Sequence, residues 1–215
     1  MKFALISDTH GWLPSVSALQ RADVLIHAGD IGPDYNVEDW IVKQWEPWRE
    51  RVENELDCRV LPTFGNHDFP DKWVGRKLPI YHDEIVRIGG KKIWFSPWST
   101  ELPGWAWQKS EPELFDILST IPKDVDWIVS HTPPFGLLDK LAWTGKSVGA
   151  KSLRVIMGEL PKLTHVICGH IHEGRGIHRW TPDGQGREIA VMNVACVDEH
   201  YELLSRPITW MDVDE

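Results

Sequence analysis

Short, nearly unbroken apolar runs recur along the chain at Lys2–Ser7, Asp23–Ala28, Cys58–Thr63, Asp126–Ser130 and Thr164–Cys168. Runs of this length without polar alternation predict strands covered on both faces by helices. A short helix is expected near Pro14–Arg21, between the first two strands. Between the second and third, Val37, Trp40, Ile41, Trp45, Trp48, Val52 and Leu56 recur at three- and four-residue steps, an apolar helical stripe interrupted by Pro47. Proline removes a helical donor, so a kink or two abutting helices is predicted there. The first quarter of the chain thus reads β-α-β-α-β, which implies parallel strands joined by right-handed crossovers.

The texture then changes. Glu84–Ile88 and Lys91–Phe95 flank Gly89-Gly90, a two-residue hairpin signal. Glu111–Ser119 and Gly149–Glu159 read as helices. Gly176–Trp180 and Ile189–Ala195 flank a Pro-Asp-Gly-Gln-Gly turn and predict a second antiparallel hairpin. Parallel and antiparallel strands with interspersed helices predict an α/β fold of two packed mixed sheets with helices outside. No repeat, low-complexity linker or composition break divides the chain, so one domain over residues 1–215 is expected.

Polar islands close the strands. They are Asp8-Thr9-His10, Gly29-Asp30, Gly65-Asn66-His67-Asp68, His131 and Gly169-His170-Ile171-His172. Carboxyl ends of parallel strands line one crevice, so islands scattered along the sequence can converge. In extended chain, Asp8 and His10 share a face, as do His170 and His172. Singly, each island reads as a helix cap or a turn. Jointly, they supply hard oxygen and imidazole donors suited to two divalent ions. The other five histidines, His27, His82, His165, His178 and His200, are expected to be structural.

Charge and cysteine content narrow the picture. A net charge of -9 opposes a nucleic-acid-coating or anionic-membrane role. It leaves an anionic substrate open, because bound metals create local positive charge. Cys58, Cys168 and Cys196 sit in or beside apolar runs and read as buried reduced thiols. The apolar N-terminal stretch ends at Asp8, too short for a signal peptide, and no run approaches a membrane span. A cytoplasmic protein without a membrane partner is the expectation.

The ordered set Asp-x-His, Gly-Asp, Gly-Asn-His-Asp, His, Gly-His-x-His resembles the calcineurin-like metallophosphoesterase superfamily. Ser96-Pro97-Trp98, Trp105-Ala106-Trp107, Ser130-His131-Thr132-Pro133-Pro134 and Cys168-Gly169-His170-Ile171-His172-Glu173-Gly174 are similar to its metallophosphoesterase-domain-containing (239AB-type) subfamily. The resemblance implies a four-layer α/β/β/α sandwich. It further implies one ion on Asp8, His10, Asp30 and His172, and a second on Asn66, His131 and His170, with Asp30 bridging. Those donors accept Mn, Fe, Ni, Co or Zn. His67 is implied as the catalytic group, and its neighbour Asp68 is expected to hydrogen-bond the ring and fix its tautomer.

The expected chemistry is hydrolysis of a phosphodiester by a hydroxide held between the ions, in a pocket left at about +2 by two carboxylates. The substrate expected from the resemblance is a small phosphodiester such as a cyclic nucleotide. A nuclease of the same superfamily is one alternative, opposed by the acidic charge and the lack of a basic stripe. A non-catalytic metal-binding scaffold is another, opposed by the filled ligand positions and His67. Neither the Asp-Arg-Gly of protein phosphatases after Asp30 nor an arginine after Asp68 is present, and Phe95-Ser96-Pro97 replaces the subfamily's Gly-Ser-Pro.

Thirteen tryptophans are many for 215 residues. Trp40, Trp45 and Trp48 fit the helical stripe and read as core or as a contact between two subunits of a homodimer. Trp94, Trp98, Trp105 and Trp107 surround a proline-containing loop and read chiefly as packing beneath it. Trp143, in the loop after His131, is the candidate substrate wall, beside Asn66 and His67.

Overall fold

A computed structural model of the chain describes residues 1–75, 79–182 and 186–213. Its first sheet is β1 (Lys2–Ile6), β2 (Val24–Ala28) and β3 (Arg59–Thr63), all parallel, with β12 (Thr209–Asp212) antiparallel against β1. The second contains β4 (Glu84–Ile88), β5 (Lys91–Ser96), β8 (Trp127–Ser130), β9 (His165–Cys168), β10 (Gly176–Trp180) and β11 (Ile189–Asn193). Its order is β10-β11-β9-β8-β5-β4. The four inner strands are parallel and both edges antiparallel. A two-residue pair, β6 (Ser99–Thr100) and β7 (Gln108–Lys109), closes the loop between β5 and the next helix.

Three apolar layers separate the elements. Phe3, Leu5, Ile26, Leu61, Ile93, Phe95, Trp127 and Ile167 pack between the sheets. On the outer face of the first sheet, Ala4, Ile6 and Leu25 meet Trp40, Ile41, Trp45 and Val52 of the long helical segment. On the outer face of the second, Ile128, Val166 and Val191 meet α3 (Glu111–Leu118) and α4 (Lys151–Glu159) through Leu114, Leu153 and Met157. Alternate residues of one strand face different layers, which is why these strands carry no polar alternation. Each Val, Leu, Ile, Met or Phe side chain so buried stabilises the fold by roughly 1.5–3 kcal/mol. The result is the α/β/β/α sandwich.

The helical segment runs through Pro47 unbroken. It consists of α1 (Val37–Trp40), a π-helical turn (Ile41–Trp45) and α2 (Glu46–Leu56). The wider turn places Pro47 in the first turn of α2, where its missing donor costs little, and Glu46 N–H donates to Ile41 five residues back. The stripe buries Trp40, Trp45 and Trp48 as core. The helix expected at Pro14–Arg21 is only a 3-10 turn, Val16–Leu19, capped by Ser15. The helix expected from Gly149 starts at Lys151. β12, half-exposed and without a long apolar run, is a strand that periodicity misses. The second hairpin forms as β10 and β11, its connecting turn lying in part outside the described residues. Among the described residues, no helix is long and apolar enough to cross a membrane.

Candidate metal centre

Every polar island sits just past a parallel strand: Asp8 after β1, Asp30 after β2, Asn66 after β3, His131 after β8 and His170 after β9. The carboxyl ends of both sheets meet there, joined by a bridge between Ser7 and Ala195. The backbone at these turns is not extended. Asp8, His10, Asp30 and His170 all have left-handed φ, between 44° and 66°. The shared-face geometry expected for Asp8 with His10 and for His170 with His172 therefore gives way to sharp turns. Such conformations are costly for residues with a Cβ and concentrate at functional sites. Two glycines admit the convergence. A Cβ on Gly29 (φ 102°) would fall 2.5 Å from His131 Nδ1, and one on Gly65 2.5 Å from the Asp30 amide nitrogen.

Buried carboxylates form the base of the pocket. Both oxygens of Asp8 accept from the His170 amide at 3.0 Å, and Asp30 Oδ1 accepts from the His67 amide at 2.8 Å. Their ion-pair partners are histidines: His172 Nε2 lies 3.5 Å from Asp8, and His131 Nε2 3.4 Å from Asp30. Burial would raise the Asp8 carboxyl, but hydrogen bonding and charge from His172, and charge from His131, hold it at about 2. Against its own burial, the charge and hydrogen bond of Asp30 push His131 up to about 9.

These donors fit divalent ions. The Nδ1 atoms of His131 and His172 face the carbonyls of Ala28 (2.9 Å) and Asp198 (3.0 Å), to which only an N–H can donate. Each Nε2 therefore turns its lone pair toward carboxylate and amide oxygens, including Asn66 Oδ1 at 2.9 Å from His131. Lone pairs facing anions at such distances need a cation between them, a proton or a metal. Donor atoms of Asp8, His10 and His172, and of Asp8, Asp30 and His131, lie within 4.8 Å of one another. His10 Nε2 is 3.5 Å from His172 Nε2, and its Nδ1 is buried without a hydrogen-bond partner. His170 stands beside this set, its ring 5.0 Å from that of His131. Burial and the His131 charge lower it to about 4, so it offers a neutral nitrogen.

His67 and Asp68 part company. The Asp68 carboxylate turns inward and accepts from the amides of Ile31, Gly32 and Gly65. It ties two metal-pocket loops together and does not touch the His67 ring, contrary to expectation. Burial and the charge on Asp30 raise it to about 7. The partner of His67 is Asp34, whose Oδ1 accepts from Nδ1 at 2.9 Å. Asp34 lies in a Gly-Pro-Asp turn that carries no separate sequence signal. His67 Nε2 then faces the pocket, 3.9 Å from Asp30 Oδ2.

A cavity of about 760 Å³ opens above these residues, reached by Asp30, Asn66, His67, His170 and His172. Trp105 and Trp143 line it, while Trp94, Trp98 and Trp107 pack inside. Glu199, His200 and Tyr201 line it too. Tyr201 packs edge-on against His10 and His172. Nothing in its surroundings in sequence marks this segment, which arrives from the far end of the chain.

Residues 1–174 match the family described as calcineurin-like phosphoesterase. The chain is 32% identical to UPF0046 protein T07D4.2 of Caenorhabditis elegans, over 97% of its own length and 59% of that protein's. It is 28% identical to human metallophosphoesterase domain-containing protein 1, over 82% and 62% respectively. The chain thus spans about three-fifths of the length of these relatives. Among solved structures, a dimetal phosphatase from Danio rerio superposes with a TM-score of 0.55 at 12% identity, covering 90% of this chain and 87% of that one. At that identity the likeness concerns the fold.

Proposed function

The chain belongs to the calcineurin-like phosphoesterase family, and from that premise we propose that it is a metal-dependent phosphodiesterase acting on small substrates such as cyclic nucleotides. Two divalent ions, one on Asp8, His10, Asp30 and His172 and the other on Asp30, Asn66, His131 and His170, would polarise phosphoryl oxygens and supply a nucleophile from water at neutral pH. The remaining work falls to side chains at the cavity floor. With Nδ1 bound to Asp34, His67 directs Nε2 at the space where a leaving oxygen would sit. When the ring is protonated, that is the proton within reach of the leaving group, the geometry general-acid catalysis needs.

One observation favours diesters over monoesters. Among the described residues lining the cavity there is no Lys or Arg. A monoester brings a second negative charge and one organic group, whereas a diester brings one charge and two organic groups. A roomy cavity with apolar walls suits the second. The test is a panel of p-nitrophenyl phosphate, bis-p-nitrophenyl phosphate and cyclic nucleotides, assayed with Mn²⁺, Ni²⁺, Zn²⁺ and Fe²⁺. Diester kcat/KM above monoester kcat/KM with at least one metal is the expected result. Monoester preference with every metal refutes the diester reading, and no turnover at all refutes the catalytic one.

A further inference from the structure

We infer that Tyr201 is a positioning residue for one ion of the pair: its ring holds His10 and His172 in the orientation that binds that ion, and its loss frees that ion alone. This rests on the two-metal reading above and adds to it a residue from the far end of the chain.

His10 is the ligand that needs such support. A histidine on a metal usually donates its other ring N–H to a fixed oxygen, which sets the orientation of the ring. His131 has the Ala28 carbonyl for this purpose, and His172 has that of Asp198. His10 has neither. Its Nε2 lies on the donor side, 3.5 Å from His172 Nε2, and its Nδ1 is buried without a hydrogen-bond partner among the described residues. Packing must therefore fix this ring. Tyr201 meets it near edge-on, with centroids 4.8 Å apart and planes at 65°. The same phenol ring meets His172 at 5.0 Å and 84°. Aromatic pairs favour such edge contacts, so one side chain braces two ligands of one ion. His67 packs against His10 as well, at 4.7 Å, but its own ring is committed to Asp34. The ring contacts of Tyr201 are with His10, His67 and His172, and the ligands of the other ion, Asn66, His131 and His170, are not among them.

The backbone shows that the ring is kept for a contact. Tyr201 has φ 63°, a left-handed conformation that glycine adopts freely and a bulky residue adopts only at a cost. A turn that had only to reverse the chain would carry glycine there. This one is closely knit. Asp198 Oδ1 accepts from the amides of His200 and Glu202, both at 2.9 Å. The Asp198 carbonyl accepts from the Tyr201 amide and from His172 Nδ1, both at 3.0 Å. At its base Val197 bridges to Leu203, and Cys196 N–H donates at 2.8 Å to Ser7, the residue before Asp8. The turn is thus rooted in the strand end that carries one ligand and grips two others. It lies beyond residue 174, where the family match ends.

Metal release tests this role. Zn²⁺-loaded protein is mixed with excess 4-(2-pyridylazo)resorcinol, and zinc is counted as it leaves. Tyr201→Gly should speed the departure of one zinc per chain by about 10-fold and leave the other unchanged. Loss of folding would release both together, so the split separates positioning from a general structural effect. Tyr201→Phe keeps the ring and should release both ions at the parent's rates. Asp198→Ala removes the acceptor that knits the turn and should speed the same ion, whereas Asp198→Asn keeps an accepting oxygen and should restore slow release. If Tyr201→Gly speeds both ions equally or neither, if Tyr201→Phe behaves like Tyr201→Gly, or if Asp198→Ala matches the parent, the positioning role is wrong while the two-metal reading stands. If the parent protein takes up no zinc, the two-metal reading fails and the role falls with it.

Discussion

The floor and the walls of one cavity are made of opposite materials. The floor is buried, polar and fixed many times over. Asp8, Asp30 and Asp68 are each held by backbone amides from another strand's loop. The walls are aromatic, partly exposed, and each presented by a different loop: Trp105 after β6, Trp143 between β8 and α4, and Tyr201 between β11 and β12. Displacing a floor residue disturbs the loops of two strands at once, whereas each wall residue belongs to a single loop, Trp105 and Tyr201 leaning on the floor histidines from above. In the proposed function, the floor carries the reaction and the walls decide what is brought to it.

That contrast can be broken by substitutions at its boundary, where His67 stands on the floor and touches a wall. His67→Ala should reduce kcat on diesters by about 10²-fold or more while metal content stays near that of the parent protein. The loss should be largest on substrates with poor leaving groups, because those depend most on proton delivery. Full activity on such substrates would show that His67 is a wall residue with no chemical role. Asp34→Ala should act less strongly, lowering kcat by about 10-fold through the orientation of His67. In the His67→Ala background the same change should do nothing further, since one residue works through the other. Additive losses would place Asp34 in metal binding directly, a role open to it because its carboxylate also lies within 4.8 Å of donor atoms of His10 and His67.

The same division explains what could be read from the chain. Strands buried on both faces write themselves as continuous apolar runs, so β1, β2, β3, β8 and β9 and the polar islands after them were legible. The helical stripe was legible through Trp40, Ile41, Trp45 and Val52, although the π turn that accommodates Pro47 was not, because a one-residue widening leaves the spacing of buried residues almost intact. Asp34 was hidden because Gly-Pro-Asp reads as an ordinary turn, and its reach to His67 depends on where the β3 loop ends in space. Asp68 was misplaced for the complementary reason: adjacency in sequence to His67 says nothing about direction, and its carboxylate points into the backbone amides beneath. Tyr201 and Glu199 were invisible, since no local pattern shows that residues before β12 fold over His10 and His172. Sequence pattern speaks for buried periodic elements, and it is silent on loops placed by tertiary packing.

The central claim is that the floor holds two metals through a shared Asp30. The most direct test is elemental analysis of the parent protein and of Asp30→Ala after loading and desalting, with diester turnover measured on the same samples. Two metal equivalents per chain in the parent, with both metal content and turnover lost in Asp30→Ala, are predicted. One equivalent or none in an active parent protein, or undiminished turnover in Asp30→Ala, would contradict it.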